Sequence, residues 1–201
     1  MKRILVLCTV FVALAGCATW MRVDQRTTVQ PDNRYRVELP KGWVWVKPGE
    51  ADIVVSRDGL DIQRIVIRHD PLANAYVKLD KKAHPGMLPS ELAELEIADI
   101  KSHDGMETVE VVENAPASVG GHEGYRLHLA YRNAGGLRYE RVVYGCVTRD
   151  GLFTLFYDAP SLHYFQRDLA QFERVVKSFR PAGARHAAAR GDGRLVWLEL
   201  N

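Results

Sequence analysis

The sequence predicts an α+β domain in which two main helices pack on an antiparallel β-sheet. Its patterns run in the order short strands, an amphipathic helix, four strands in succession and a second helix. Only a few turn residues separate the successive strands, which favours antiparallel hairpins because a parallel connection needs a dozen residues or more. Runs of strands interrupted by single helices are typical of helices packed on one antiparallel sheet.

The first strands are expected from about Arg34, where the polar N-terminal stretch ends. One face of the opening strand is apolar and consists of Tyr35, Val37 and Leu39. Residues 51–70 predict a hairpin with its turn at residues 57–59, because the Asp-Gly pair there tolerates the positive φ angles of tight turns. Residues 70–88 form a long connection, and a loop of that length usually has a function or internal structure.

Both predicted helices carry an apolar stripe at helical spacing. The first is expected from Ser90, a good N-cap, to about Ser102. The second is expected from about Ser161 to Phe179 and is followed by Pro181. Five of its residues lie on one side, namely Phe165, Leu169, Phe172, Val176 and Phe179. We expect this stripe to pack on the sheet.

Four strand patterns lie between the two helices. They cover residues 107–113, 124–131, 137–148 and 152–157. Turns rich in glycine at residues 134–136 and 149–151 connect the last three. The glycines of residues 119–125 lack the strand-then-helix context of a nucleotide-binding loop, so we interpret them as a turn that leads into a strand.

The N-terminus has the features of a secretory signal. Lys2 and Arg3 precede an apolar run at residues 4–15, which is shorter than the roughly 20 residues of a stable membrane span. The run ends in Leu14-Ala15-Gly16-Cys17, which resembles the lipobox of bacterial lipoproteins. The alternative is an ordinary signal with a chance cysteine, or an uncleaved anchor.

The lipobox resemblance implies cleavage before Cys17 and attachment of lipid to this cysteine. Residues 1–16 would be the signal peptide and residues 17–33 a lipid-anchored tether. Ala18 stands where lipoproteins of the inner membrane typically carry Asp, so the resemblance implies an outer-membrane lipoprotein whose domain faces the periplasm. Trp20 would either favour the headgroup layer or lie in the linker.

Charge and cysteine counts narrow the function further. Loss of residues 1–16 removes two of 27 basic residues and no acidic one, which leaves 25 of each sign and a formal net charge of zero. This balance argues against nucleic acid as a partner, because such binders show a basic excess. Cys8 would leave with the signal and Cys17 would carry lipid, so Cys146 has no intramolecular disulfide partner. Its apolar neighbours predict a buried, unreactive thiol.

The domain as a whole resembles the PsbP-like α/β/α sandwich. The resemblance rests on the opening stretch YRVELPKGWVWV, the central helix, the antiparallel strands, and the closing stretches GLFTLFYDAP and FERVVKSFRP. It covers about residues 34–181. It implies an accessory or binding role, as in an extrinsic photosystem subunit, a nuclear-transport regulator and small envelope lipoproteins, and it brings no shared catalytic residues.

Catalytic and metal-binding motifs are missing from the sequence, including H-E-x-x-H, G-x-S-x-G, a P-loop and paired zinc cysteines. The seven histidines are scattered and are expected at the surface. His122 and His128 would lie about 20 Å apart on one strand, too far to share a metal. We therefore predict a protein that is not an enzyme and needs no cofactor or metal. It would be a lipid-anchored binding or accessory module with an envelope protein as partner.

Two other functions stay open. The first is a carrier of a small apolar ligand, in which Trp43 and Trp45 would form a ligand shelf instead of joining the core. The second is an enzyme of unrecognised type. Three lysines of the long connection are candidates for contact with an anionic partner, although a solvated loop face is the simpler interpretation: Lys78, Lys81 and Lys82.

Residues 182–201 combine a linker of small residues with an apolar end. Leu195 to Leu200 is apolar enough to form a strand. We expect it to dock on the domain's own sheet or on the sheet of a partner.

Overall fold

A computed structural model describes residues 20–24, 27–29, 31–46 and 53–182. These residues form two β-sheets and two α-helices, which confirms the α+β class. The predicted signal peptide, Cys17 and the C-terminal strand at 195–200 lie outside the described residues and stay predictions. None of the described helices is long and apolar enough to cross a membrane.

The elements follow one another along the chain with short connections, apart from residues 71–88. In chain order they are β1 (Met21–Arg22), β2 (Thr27–Val29), β3 (Tyr35–Leu39), β4 (Val44–Val46), β5 (Ile53–Ser56), β6 (Arg64–Asp70), α1 (Pro89–Lys101), β7 (Glu107–Val119), β8 (His122–Arg132), β9 (Arg138–Thr148), β10 (Gly151–Pro160), α2 (Gln166–Ser178) and β11 (Arg180–Pro181). The larger sheet has the order β1-β4-β5-β6-β10-β9-β8-β7, and the smaller has the order β11-β3-β2. Every pair of neighbouring strands is antiparallel, as predicted.

The larger sheet lies between two apolar cores, because successive side chains of a strand point to opposite faces. On one face, α2 and the smaller sheet cover a core that includes Trp43, Ile65 and Phe153. On the other face, α1 covers a core that includes Leu127 and Val143. The domain is therefore layered with a helix on each side, but it is richer in sheet than a balanced sandwich of helices around one sheet.

The stripe predicted for α2 is confirmed, but its predicted start is wrong. Phe165, Phe172 and Phe179 are fully buried against the sheet. The regular helix begins at Gln166 and not at Ser161, because the segment before it contains non-helical backbone. His163 in this segment has φ 69° and ψ −54°, a combination that is strained for a residue with a side chain.

Helix α1 begins one residue before the predicted N-cap. Leu88 occupies the N-cap position and Pro89 follows it, since the fixed φ of proline suits the first turn of a helix. The carboxylate of Glu91 accepts a hydrogen bond of 3.1 Å from the backbone N–H of Leu88. The prediction of Ser90 as N-cap is therefore wrong, and Ser90 belongs to the first helical turn.

The four predicted central strands are confirmed, and most are longer than predicted. Strands β7 and β8 meet at Gly120 and Gly121, whose φ angles of 59° and 90° form a two-residue turn. Gly120 also lies against Pro181, since a Cβ at this position would be 2.4 Å from the proline ring. The earlier hairpin closes through residues 57–63, which is a longer connection than the turn predicted at 57–59.

Part of the predicted tether belongs to the folded domain. Strand β1 pairs with β4, and β2 pairs with β3. Val23 is buried, and its backbone N–H donates to the carbonyl of Trp43 at 2.8 Å. Residues 21–23 and 27–29 of the predicted tether are therefore part of the folded domain, because they make strand pairs or core contacts.

Candidate functional site

A cleft at one end of the larger sheet brings together ionised and aromatic side chains from four strands. Its lining includes Arg64 from β6, Tyr131 from β8, Tyr139 from β9 and Asp158 from β10. It encloses about 360 Å³, within the range of roughly 300–1,000 Å³ that is usual for small-molecule sites. We call it the Asp158 cleft.

Strand register explains why these residues meet. Asp158 lies directly opposite Arg64 on one neighbouring strand and opposite Arg141 on the other. Tyr131 and Tyr139 are likewise direct cross-strand partners. Their rings stack with centroids 5.6 Å apart. Cross-strand neighbours on one face of a sheet are close enough to pair, so the register alone places a carboxylate between two arginines.

Asp158 is buried and accepts hydrogen bonds from three side chains. Arg141 donates to it at 2.7 Å, the hydroxyl of Tyr131 at 2.7 Å and Arg64 at 3.3 Å. Burial alone would raise the pKa of Asp158, but the charge and the hydrogen bonds of Arg141, with that of Tyr131, outweigh it and lower the pKa. Asp158 is therefore ionised at neutral pH.

Arg141 is a buried cation that contacts Asp158 from beneath the lining of the cleft. Its guanidinium lies 4.5 Å from the ring centroid of Phe156 and 5.6 Å from that of Tyr131. Its Nε has no hydrogen-bond partner among the described residues. Arg64 differs from it, because its side chain is 42% exposed at the mouth of the cleft. The cleft can bind a polar or anionic group at Arg64. The carboxylate of Asp158 already accepts three hydrogen bonds and, being ionised, has no proton to donate at neutral pH.

A second buried carboxyl lies under helix α1. Glu96 of this helix accepts hydrogen bonds from Tyr76 at 3.1 Å and from Tyr125 at 3.0 Å. Burial raises the pKa of Glu96, which favours its neutral form. Tyr125 crosses over Gly145 of the neighbouring strand, where a Cβ would lie 2.3 Å from the tyrosine hydroxyl. This cluster connects α1 to the sheet and has no opening to solvent at Glu96.

A groove between α2 and the smaller sheet collects positive charge. Among the described residues, its lining includes one acidic residue, Glu38, and five exposed basic residues: Arg36, Lys41, Arg174, Lys177 and Arg180. The groove consists of two adjoining cavities of about 190 and 590 Å³. We call it the basic groove. Positive charge is thus in local excess here, although the net charge inferred for the mature chain is zero.

Most candidate residues from the sequence make contacts within the domain. Trp43 is fully buried and its indole N–H donates to Gln171 at 3.1 Å, which confirms the core interpretation for this residue. Trp45 is partly exposed and packs against the same core. Neither tryptophan lines the Asp158 cleft or the basic groove. Lys82 donates to the backbone carbonyls of Tyr76 and Val77, which supports the interpretation as a solvated loop.

The histidines are dispersed, as predicted, although two of them are more than surface residues. His128 forms a 2.7 Å contact with Glu140 and stacks on Phe165. His69 contacts Arg34 and the backbone carbonyl of Asp150, each at 2.9 Å. Among the described residues, no group of three His, Cys, Asp or Glu side chains is arranged to hold a metal ion.

Cys146 is fully buried, which confirms the prediction for its position. Burial raises the pKa of its thiol to about 12, so the reactive thiolate is suppressed at neutral pH.

A large antiparallel sheet with a helix on each face and a smaller sheet beside one helix define an α+β domain. The sequence model of the PsbP family matches residues 25–181. The chain belongs to the PsbP family, and the resemblance seen in the sequence is confirmed. Comparison with curated protein sequences finds no match.

Two solved structures show the same fold at low sequence identity. The solution structure of cyanobacterial PsbP (CyanoP) from Synechocystis sp. PCC 6803 has a TM-score of 0.52 and 14% identity, covering 84% of this chain and 95% of CyanoP. The crystal structure of the Ran-binding protein Mog1p from Saccharomyces cerevisiae has a TM-score of 0.53 and 11% identity, covering 79% of this chain and 96% of Mog1p. At these identities the likeness concerns the fold.

The sequence patterns did not locate either the Asp158 cleft or the basic groove. The cleft depends on strands that are distant in the chain. The groove had a weak local signal, because Arg174 and Lys177 lie three positions apart and thus on one side of α2. Arg36 of β3 completes it only after the smaller sheet has docked against that helix.

Proposed function

We propose that this PsbP-family protein is a lipoprotein of the bacterial outer membrane, anchored through Cys17, whose domain binds an envelope protein on the periplasmic side. The observation that carries the proposal is the lipobox Leu14-Ala15-Gly16-Cys17 at the end of an apolar signal, upstream of a family domain that matches residues 25–181. Three acyl chains would hold the protein firmly on a membrane, because even two lipid signals give stable attachment.

The geometry of the Asp158 cleft favours binding over catalysis. A general acid or base needs a pKa near the working pH. The pKa of Asp158 is instead lowered, and its oxygens are occupied by Arg141, Tyr131 and Arg64. The half-exposed Arg64 is the group that a partner's carboxylate could reach. Neither this cleft nor the basic groove has the tryptophan lining that a carrier of an apolar ligand was expected to have.

The anchor is tested by Cys17→Ser in cells grown with radioactive palmitate. The parent chain should be labelled and shortened, whereas the variant should stay unlabelled and uncut because it lacks the thiol that receives the lipid. Membrane fractionation of the labelled parent should place it in the outer membrane. Palmitate labelling that persists in the variant would refute the assignment of Cys17.

The docking role of the cleft is tested by a photo-cross-linking amino acid at Asp104, an exposed residue of the cleft rim. The same amino acid at Glu94, exposed on α1, serves as the matched control. We expect an adduct with one envelope protein from position 104 alone, and we expect Arg64→Glu to abolish it. Equal adducts from both positions, or none from position 104, would exclude the cleft as the docking site.

A further inference from the structure

Positive charge exceeds negative charge in the part of the basic groove that the structure describes. Among these lining residues one is acidic, Glu38, and five are basic. Arg36, Arg174 and Lys177 form no ion pair with any described residue. Arg180 donates only to the backbone carbonyls of residues 177 and 179. Cations gathered in one concave surface without partners repel one another, so an external anion would stabilise them.

Charge is distributed unequally over the two sides of the domain. The basic groove lies on the side of α2 and the smaller sheet. The opposite side, with α1, exposes charges of both signs, among them Glu94, Asp104, Lys78 and Lys101. The groove therefore differs from that side in its excess of one sign, which attracts a negatively charged surface.

The N-terminal part of the described chain runs beside the basic groove. Thr28 of β2 lines the groove. Val23 accepts a 2.7 Å hydrogen bond from the backbone N–H of Gly42, the neighbour of the groove residue Lys41. Trp20 and Met21, which precede Val23 in the chain, are 52% and 43% exposed. Trp20 is three positions after Cys17, a stretch that spans at most about 10 Å, so a lipid on Cys17 would hold this end of the domain close to the membrane.

We propose that the basic groove binds the anionic headgroups of a phospholipid surface and thereby orients the domain on the membrane. The closeness of the membrane rests on the lipid attachment at Cys17 proposed above. Phosphate oxygens accept hydrogen bonds from the guanidinium groups of Arg36 and Arg174, while Lys177 adds a point charge. Trp20 enters the headgroup layer, where indole side chains are favoured. The side with α1 then faces away from the membrane.

The test uses unlipidated protein that begins at Ala18, which retains every described residue. Binding is measured by co-sedimentation with vesicles of phosphatidylcholine, alone or mixed with phosphatidylglycerol. We expect binding only to the anionic vesicles. It should weaken as NaCl is raised, because the Debye length is only about 10 Å at 0.1 M salt. Since this protein lacks lipid, its failure to bind would refute the groove proposal and leave the palmitate test of Cys17 unaffected.

Two charge-neutralised variants complete the test. Arg174→Gln with Lys177→Gln should weaken binding by roughly 30-fold, since each basic residue at an anionic surface contributes about fivefold. The control variant, Lys78→Gln with Lys101→Gln, also removes two positive charges, but on the α1 side of the domain. It should bind the vesicles like the parent. Both sites of each variant are exposed, and an unchanged urea midpoint will verify folding. Equal weakening in the two variants, or groove-dependent binding of an acidic protein without binding of vesicles, would overturn the proposal.

Discussion

Replacing Asp158 by Asn tests whether the buried charges of the cleft hold the strands together. The side chains of Asp158 and Arg141 are only 4% and 7% exposed. The substitution keeps the size of the side chain but removes the negative charge, so Arg141 stays buried without a counter-charge. Breaking a buried pair in this way costs about 3–5 kcal/mol of unfolding free energy. This is a large part of the roughly 5–15 kcal/mol that stabilises a typical domain.

Urea unfolding monitored by circular dichroism measures this loss as a lower midpoint at an unchanged slope. Arg64→Gln is the matched control, since its half-exposed side chain also contacts Asp158. An exposed pair contributes only about 0.2–1 kcal/mol. A loss at position 158 as small as that of the control would contradict the assignment of a buried ion pair.

A double variant keeps the test valid if the single variant unfolds. Arg141→Met combined with Asp158→Asn removes the unpaired charge and retains an apolar side chain over Phe156. The double variant should therefore lose much less stability than the sum of the two single variants. Strict additivity of the two losses would show that Arg141 and Asp158 do not depend on each other.

The pH dependence of the same pair has a defined sign. The pKa of Asp158 is lowered in the folded state, against about 3.9 when unfolded. Its contribution to stability is therefore complete above about pH 5 and is lost as pH falls through the folded pKa. The difference between parent and Asp158→Asn should shrink only in acid.

Three further predictions concern other buried groups of the domain. Gly145→Ala should cost about 1–3 kcal/mol in urea unfolding, because its Cβ would collide with Tyr125, whereas Gly135→Ala in a surface turn should be nearly neutral. Glu96→Gln should gain stability relative to the parent as pH rises above about 4.3, the ordinary pKa of glutamate, because the raised pKa of Glu96 makes the folded parent lose stability there; a pH-independent difference would contradict this. Cys146 should react with a thiol reagent on the order of 100-fold more slowly in the native protein than in denaturant, and equal rates would contradict its burial.

Local patterns predicted the elements whose buried face has a regular period. The stripe of α2 was visible because Phe165, Phe172 and Phe179 recur at helical spacing and are all buried. Alternation likewise identified the buried face of β3, with Tyr35, Val37 and Leu39. The same reasoning failed at the two-residue strand β1 and the three-residue strand β2, because segments so short contain no full period.

The Asp158 cleft was beyond such reasoning because its contacts are distant in the chain. Asp158 is 94 positions from Arg64 and 27 from Tyr131. Their meeting depends on β6 lying beside β10, although α1 and three strands separate the two in sequence. The secondary-structure propensities of neighbouring residues do not determine the order of strands in a sheet. Conversely, the lipobox is a local chemical signal, so Cys17 could be proposed from the sequence alone.

The smaller sheet also determines how the domain would respond to a pulling force. The chain enters this sheet on β2 at the Leu39 end of β3, and leaves it on β11 at the Tyr35 end. Tension applied between β2 and β11 would therefore act along the strands, so that the hydrogen bonds on both sides of β3 resist together instead of opening one by one.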